Sequence, residues 1–200
     1  MRTSPPFFSF RRLSALLVHA RALALVLMVA AFAPAAYAEG IEVRSVAIEP
    51  ADDGWDLEAA FDVQFNPRLE EAVTRGVPLY FVIEFELSRP RWYWFDEKPV
   101  QLSQTYKITY SPLLRQYRLA STIGSNSQNF TRLEEVTRAL SRLRGWHVAD
   151  KGALQKEQVY QAAVRMRLDT AQLPKPFQLN AIASRDWTLA SDWHRWTISP

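Results

Sequence analysis

Strict alternation between apolar and polar residues constrains the fold of this chain more than any other sequence feature. The pattern is clearest from Trp55 to Phe65, where the odd positions are all apolar: Trp55, Leu57, Ala59, Phe61, Val63 and Phe65. Successive side chains of a β-strand point to opposite faces, so a period of two predicts a strand with one buried and one solvated face. Strands of this kind are typical of antiparallel sheets.

The same period of two recurs along the chain, and residues typical of hairpin turns lie between the alternating segments. It predicts further strands at Ile41–Ile48, Val77–Leu87, Leu102–Tyr110, Arg115–Ile123, Tyr160–Leu168 and Trp193–Ile198. Asp52-Asp53-Gly54 and Ser111-Pro112 predict turns. We therefore predict a mainly β fold, an antiparallel β-sandwich with the immunoglobulin-like arrangement as one candidate. The chain has no cysteine, so the immunoglobulin label describes architecture only.

One amphipathic α-helix is expected to interrupt the strands. Thr131-Arg132-Leu133-Glu134 matches a capping box, in which Thr131 and Glu134 satisfy free backbone donors. Helical spacing follows at Leu133, Val136, Leu140 and Leu143, and Gly145 is placed to end the helix. A short helical turn is also expected within residues 177–183.

The first 38 residues have the pattern of a removable export signal. An arginine-rich start precedes an apolar run at residues 22–33, and Ala36-Tyr37-Ala38 supplies the small-x-small cleavage site. We predict a signal peptide at residues 1–38 and one periplasmic domain at residues 39–200. The apolar run is shorter than the roughly 20 residues that span a bilayer. An uncleaved leader that anchors the protein in the inner membrane, facing the periplasm, is the alternative, and it would be the only membrane contact.

Removal of the leader reverses the charge of the chain. The full sequence has 24 basic and 21 acidic side chains and a net charge of +3. The leader contains four of the arginines, which leaves 20 basic against 21 acidic side chains and a net charge of −1. Because nucleic-acid binding needs a clustered basic surface, we predict no nucleic-acid partner.

The most unusual segment joins arginines to consecutive aromatic residues. It reads Arg89-Pro90-Arg91-Trp92-Tyr93-Trp94-Phe95-Asp96-Glu97. On a strand, Trp92 and Trp94 would share one face and Tyr93 and Phe95 the other. Either both faces are covered within the protein, with arginine stems over the rings, or one face binds a ligand. For the second interpretation the candidate binding residues are Arg89, Arg91, Trp92, Trp94 and Asp96.

No residue pattern predicts catalysis, a cofactor or a metal. Asp96-Glu97 resembles the carboxylate pair of a carbohydrate-active enzyme, but adjacent strand residues point to opposite faces. His147 and His194 are 47 residues apart and lack ligand spacing, although Asp150 or Asp192 could join them in a metal site. We therefore predict a non-enzymatic domain that binds a protein or another envelope component.

Several segments are similar to one known family. Arg91-Trp92-Tyr93-Trp94-Phe95-Asp96-Glu97, Tyr117-Arg118-Leu119 and the helix after Phe130 resemble exported proteobacterial proteins grouped as domain of unknown function 4390. The resemblance implies export and gives no catalytic residue or cofactor. Its members are often encoded beside a membrane sensor kinase of nitrogen regulation. The resemblance thus implies, by association, a regulator that works with a sensor histidine kinase.

Overall fold

The computed structural model describes residues 40–89, 97–122 and 126–199 and is mainly β. Its strands are β1 (Gly40–Ala51), β2 (Gly54–Gln64), β3 (Leu79–Arg89), β4 (Glu97–Ser111), β5 (Gln116–Ser121), β6 (Ser127–Phe130), β7 (Arg142–Asp150), β8 (Tyr160–Leu168) and β9 (His194–Ile198). Its helices are α1 (Pro67–Thr74), α2 (Leu133–Leu140) and α3 (Lys175–Ala183), and two 3-10 turns lie at Thr170–Gln172 and Arg185–Trp187. The predicted leader, residues 1–38, lies outside the described residues.

The strands form two antiparallel sheets. The small sheet has the order β1-β2-β7, and the large sheet has the order β6-β5-β4-β3-β8-β9. A single apolar core takes buried side chains from both sheets, which confirms the predicted sandwich. This strand order differs from that of an immunoglobulin domain, so the comparison with that fold applies to the two-layer architecture alone.

The predicted alternation of faces is confirmed in the central strands. In β2 the odd positions from Leu57 to Val63 are buried, and the residues between them are partly exposed. In β3 the inward residues Leu79, Phe81, Ile83, Phe85 and Leu87 are at most 1% exposed. Each of these two strands lies between two others, and its inward side chains belong to the core that the two sheets share.

The sequence predicted one helix and a helical turn, whereas the described residues form three α-helices. The predicted turn corresponds to α3, and α1 was not expected. Asn66 begins α1, because its Oδ1 accepts a hydrogen bond from the Leu69 backbone N–H at 2.9 Å and Pro67 follows at the first helical position. No helix among the described residues is long and apolar enough to cross a membrane.

The predicted bounds of α2 were wrong at both ends. The capping carboxylate is Glu135, whose Oε2 accepts from the backbone N–H groups of Thr131 and Arg132 at 3.3 Å each. The helix starts one residue later than expected because Arg132 has an extended backbone. At the other end, Leu143 pairs with Ala59 in the sheet, and Gly145 (φ 59°) lies within the bulged part of β7. Pairing with β2 therefore ends the helix before its apolar pattern ends.

Candidate groove along the unpaired half of a strand

Most of the residues predicted to bind a ligand lie outside the described part of the chain. Arg91, Trp92, Trp94 and Asp96 belong to residues 90–96, which connect β3 to β4. Arg89 is described: it ends β3, pairs in register with Glu97 and is half-buried. The structure therefore describes the strands on either side of the aromatic segment and does not test the segment itself.

β4 is much longer than the strand that follows it. β4 has 15 residues, and β5 has 6 and pairs only with Tyr106–Ser111. The Thr122 N–H donates to the Thr105 carbonyl at 2.9 Å, and the chain then leaves the strand. Within the described residues, no strand lies beside residues 97–104 on the side away from β3. This half of β4 is thus a sheet edge, and its Pro99 suits an edge position.

The unpaired side of this edge carries backbone hydrogen-bonding groups. In a strand, the N–H and C=O groups of alternate residues point to the same side. The Thr105 carbonyl points toward Thr122, so the backbone groups of Ser103 and Gln101 point outward in the same direction. An incoming strand would find two donors and two acceptors there.

A groove of about 450 Å³ lies on the inner side of this edge. It is lined by Val100, Gln101 and Leu102 of β4, by His147, Val148, Ala149 and Asp150 of β7, and by Ala153. Leu102 is 37% exposed, although its neighbour Phe85 in the same row of the sheet is fully buried. The lining of the groove is therefore mixed: Leu102 contributes exposed apolar surface, and His147 and Asp150 contribute polar groups.

The imidazole on the rim is held between two carboxylates. His147 Nε2 lies 3.1 Å from Asp150 Oδ1, and Nδ1 lies 3.3 Å from Asp56 Oδ1. The hydrogen bond with Asp150, supported by that with Asp56, raises the pKa of His147 above its usual value. The protonated ring can donate a hydrogen bond to each carboxylate, so the two carboxylates favour the imidazolium form of His147.

A second groove, of about 310 Å³, lies on the outer face of the large sheet. It is lined by Glu84, Phe85, Glu86, Gln101, Leu102, Ser103, Arg165 and Trp193. Gln101 and Leu102 are shared with the first groove, so the unpaired edge runs between the two. The outer groove is mainly polar, whereas apolar and polar residues contribute about equally to the lining of the inner one.

Glu84 is the centre of a charge network in the outer groove. It binds Arg165, and its Oε1 accepts from Arg167 Nη2 at 3.0 Å and Nε at 3.1 Å. Burial alone would raise the pKa of Glu84, but hydrogen bonds from the two arginines outweigh burial and lower it. The guanidinium of Arg165 lies 4.4 Å from the centre of the Trp193 ring. The carboxylate is therefore ionised and fully engaged.

Gln104 marks the point where the paired and unpaired halves of β4 meet. Its Nε2 donates to Ser121 Oγ at 3.3 Å. Its Oε1 is buried and has no hydrogen-bond partner within the described residues. A buried acceptor of this kind costs stability until a donor reaches it.

The histidines and tryptophans near the C-terminus do not gather into one site. His194 lies against Trp196, with 6.0 Å between ring centres. Trp187 is buried against Phe177, whereas Trp193 lies on the outer sheet face. In the part of the chain that the structure describes, no three His, Asp or Glu residues are grouped to hold a metal ion.

Sequence reasoning missed the network of Glu84, Arg165 and Arg167. These residues occupy polar positions of two alternating strands, and that alternation was the available signal. Nothing in the sequence indicated that β3 and β8 are neighbours, because Glu84 and Arg165 are 81 residues apart.

Comparison with known proteins places the chain in one family. No curated protein and no solved structure matches the chain. A family model described as a domain of unknown function, DUF4390, matches residues 38–197. This range includes the three helices of the described residues and every strand of the two sheets except the last residue of β9. The chain therefore belongs to the DUF4390 family of domains of unknown function.

Proposed function

We propose that this protein is an exported, non-enzymatic binding domain of the cell envelope that takes an extended peptide segment of a partner protein along β4. The observation that carries the proposal is the unpaired edge at residues 97–104, which lies between two grooves. Strand addition to a free sheet edge is a general mode of peptide recognition, in which backbone hydrogen bonds give affinity and flanking pockets give specificity.

The two grooves define the chemistry of the peptide. Alternate side chains of an added strand point to opposite sides of the sheet. On the inner side, apolar side chains would pack beside Leu102, Val148 and Ala149. On the outer side, polar or cationic side chains would meet Gln101, Ser103 and Glu86. An amphipathic segment with a period of two is the partner that fits both.

The electrostatics of the outer groove favour binding over acid–base catalysis. A carboxyl group that acts as a general acid near neutral pH needs a raised pKa. The pKa of Glu84 is instead lowered, and both of its oxygens accept hydrogen bonds from arginine. These features support a fixed recognition surface.

The leader sequence supports export, and cleavage of the leader in the cell is the test. The basic start, the apolar run and Ala36-Tyr37-Ala38 together favour cleavage after Ala38. N-terminal sequencing of the protein from a periplasmic extract should give Glu39 as the first residue. An intact N-terminus on protein recovered with the inner membrane would support the anchored alternative.

Site-specific photocrosslinking in cells tests the binding surface. A photoreactive residue at Gln101 should capture a partner, whereas one at Thr197, which is exposed on the outer face of the same sheet, should not. Ser103→Pro removes a backbone donor on the free side and leaves the bonds toward β3 intact. It should abolish capture at Gln101, while Ser103→Ala should retain it.

The outcomes separate the candidate functions. Unchanged capture by Ser103→Pro, with a melting temperature close to that of Ser103→Ala, would rule out strand addition. Capture of a membrane sensor histidine kinase would identify the protein as its regulator. Turnover of cell-wall fragments that is lost in Asp96→Asn or Glu97→Gln would contradict the non-enzymatic proposal.

A further inference from the structure

Four large apolar side chains at one end of the molecule are exposed to solvent. Leu113 and Leu114 lie in the turn between β4 and β5 and are 93% and 65% exposed. Leu179 and Ile182 lie on α3 and are 72% and 86% exposed. Single exposed apolar residues are common on protein surfaces, but a group at one end indicates an interaction surface.

Contacts of α1 show that the two pairs share this end of the sandwich. At the C-terminal end of α1, Thr74 Oγ1 lies 3.1 Å from the Tyr117 hydroxyl, close to the β4–β5 turn. At its N-terminal end, Asn66 Nδ2 donates to the Asp186 carbonyl at 2.7 Å. A small cavity of about 90 Å³ also separates α1 from Phe177 of α3. The helix α1 therefore lies between the exposed leucines of the turn and the exposed residues of α3.

Cationic side chains surround the exposed apolar residues. The β4–β5 turn, α1 with its C-terminal cap, α3 and the 3-10 turn after α3 carry five basic side chains, namely Arg68, Arg75, Arg115, Lys175 and Arg185. The same elements carry three acidic ones, Glu70, Glu71 and Asp186. Glu71 lies 2.7 Å from Arg75 and 3.7 Å from Arg68, so one carboxylate serves both arginines of α1. These elements therefore carry more basic than acidic side chains.

We infer that this end of the protein binds the surface of a bilayer that contains anionic lipids. Leu113, Leu114, Leu179 and Ile182 would enter the boundary between headgroups and acyl chains, as the apolar face of an interfacial element does. Long basic side chains can extend to the phosphate level while their stems cover apolar surface. This contact would add to the one expected from an uncleaved leader.

The shape of the surface favours lipid over a protein partner. The exposed residues lie at the tip of a turn and on the outer side of a helix with no buried residue. Projecting side chains enter a deformable bilayer without a matching contour. A protein partner would instead need a packed and complementary interface. The cationic surroundings match anionic headgroups, and this charge complementarity selects the occupant.

Vesicle flotation tests the inference. Residues Glu39–Pro200 form a compact unit that contains the whole described core, so this fragment is used and the apolar leader cannot contribute. It should float with vesicles of phosphatidylcholine and phosphatidylglycerol, and much less with phosphatidylcholine alone. Leu113→Ser with Leu114→Ser, and separately Leu179→Ser with Ile182→Ser, should weaken binding roughly tenfold or more. Arg115→Gln with Lys175→Gln should weaken it at low salt.

A matched control removes an exposed apolar residue from the opposite end of the sheet. Val159 is 53% exposed and precedes the first residue of β8, whereas the last residue of β8 lies at the end that carries α1. Val159→Ser should bind vesicles as the parent fragment does, and circular dichroism should show the same fold for every variant. Absence of binding to anionic vesicles, or equal binding by all variants, would overturn the inference. So would a fall in sedimentation mass of the lipid-free fragment on Leu179→Ser with Ile182→Ser, which would indicate contact between two copies.

Discussion

Glu84 of β3 accepts two hydrogen bonds from Arg167 of β8, which converge on its Oε1 from Nε at 3.1 Å and from Nη2 at 3.0 Å. Arg167 is not its direct partner in the sheet, since Glu84 pairs in register with Arg165 and Arg167 lies diagonally across from it. The same carboxylate also binds Arg165. One carboxylate is thus shared by two guanidinium groups of the neighbouring strand, and the second of these, Arg167, also lies 3.5 Å from Asp169 Oδ1.

Replacement of Glu84 by glutamine should destabilise the large sheet. The variant leaves two partly buried arginines without their shared anion, and we expect a loss of about 1–2 kcal/mol in the free energy of unfolding at neutral pH. Urea denaturation measures the loss. Glu86→Gln, on the same face two residues away, is the control and should cost less.

The dependence of stability on pH in acid provides a second test of the contribution of Glu84. The folded-state pKa of Glu84 lies below the ordinary value of 4.5. Its contribution to the free energy of unfolding is therefore present above that value and is lost as the pH falls through the folded-state pKa. The parent should therefore lose more stability than Glu84→Gln over that range. Parallel profiles would show that the arginine pairing does not stabilise the fold.

His147 should produce the opposite dependence on pH. The folded-state pKa of His147 is raised above the usual 6.5. Its contribution to the free energy of unfolding is therefore complete below the usual value and is lost as the pH rises through the folded-state pKa. Between about pH 6 and about pH 9 the melting temperature of the parent should fall more than that of His147→Gln. Asp150→Asn should reduce the difference, because it removes the partner that raises the pKa most.

Gly54 should not tolerate a side chain. A Cβ at this position would lie 2.0 Å from the Ala149 carbonyl oxygen, which belongs to the backbone of the paired strand β7. Gly54→Ala must push β2 and β7 apart, and we expect a loss of more than about 3 kcal/mol or failure to fold. Gly40→Ala is the control, since no atom lies within 4 Å of its added Cβ. Similar stability of the two variants would contradict the register of β2 and β7.

The C-terminal tryptophans should differ sharply in their contribution to stability. Trp187 is 2% exposed and packs against Phe177 at 5.6 Å between ring centres, so Trp187→Ala should cost about 3–5 kcal/mol. Trp193 packs its ring on Arg165 at the surface, and Trp193→Ala should cost about 1 kcal/mol. Chemical denaturation of the two variants distinguishes them, and equal losses would contradict the burial of Trp187.

The aromatic segment remains a predicted binding element. If Trp92 and Trp94 form an exposed face, then Trp92→Ala or Trp94→Ala should weaken partner capture and leave the melting temperature nearly unchanged. If they are packed in the protein, each change should cost several kcal/mol. Thermal melts alongside crosslinking yields separate the two interpretations, and Ser103→Ala is a suitable reference variant.

The alternation of apolar residues predicted most strands and the faces they bury. It failed for β7, where a bulge at Gly145 shifts the phase, so Leu143 and Val148 are buried out of step with a simple period of two. The helix α1 was missed although Asn66-Pro67 is a strong start signal, because its eight residues are short for a periodic pattern.

The candidate groove was beyond prediction for a different reason. It exists because β5 stops pairing before β4 does, and a difference in strand length depends on where the chain turns away. Glu84 and Arg165 line the outer groove, and Leu102 and Val148 line the inner one. Each pair comes from strands that are distant in sequence, and one sequence contains no signal that brings them together.

The strand order also sets when the sandwich can form. β2 pairs with β7, so Gly54 cannot pair with Asp150 until six further elements of the fold, α1, β3, β4, β5, β6 and α2, have been synthesised. The hairpin of β1 and β2 is therefore synthesised before β7 can pair with β2. Until then this edge of β2 is unpaired and the apolar face of the hairpin is exposed. Such non-local pairing slows folding and prolongs the exposure of aggregation-prone surface.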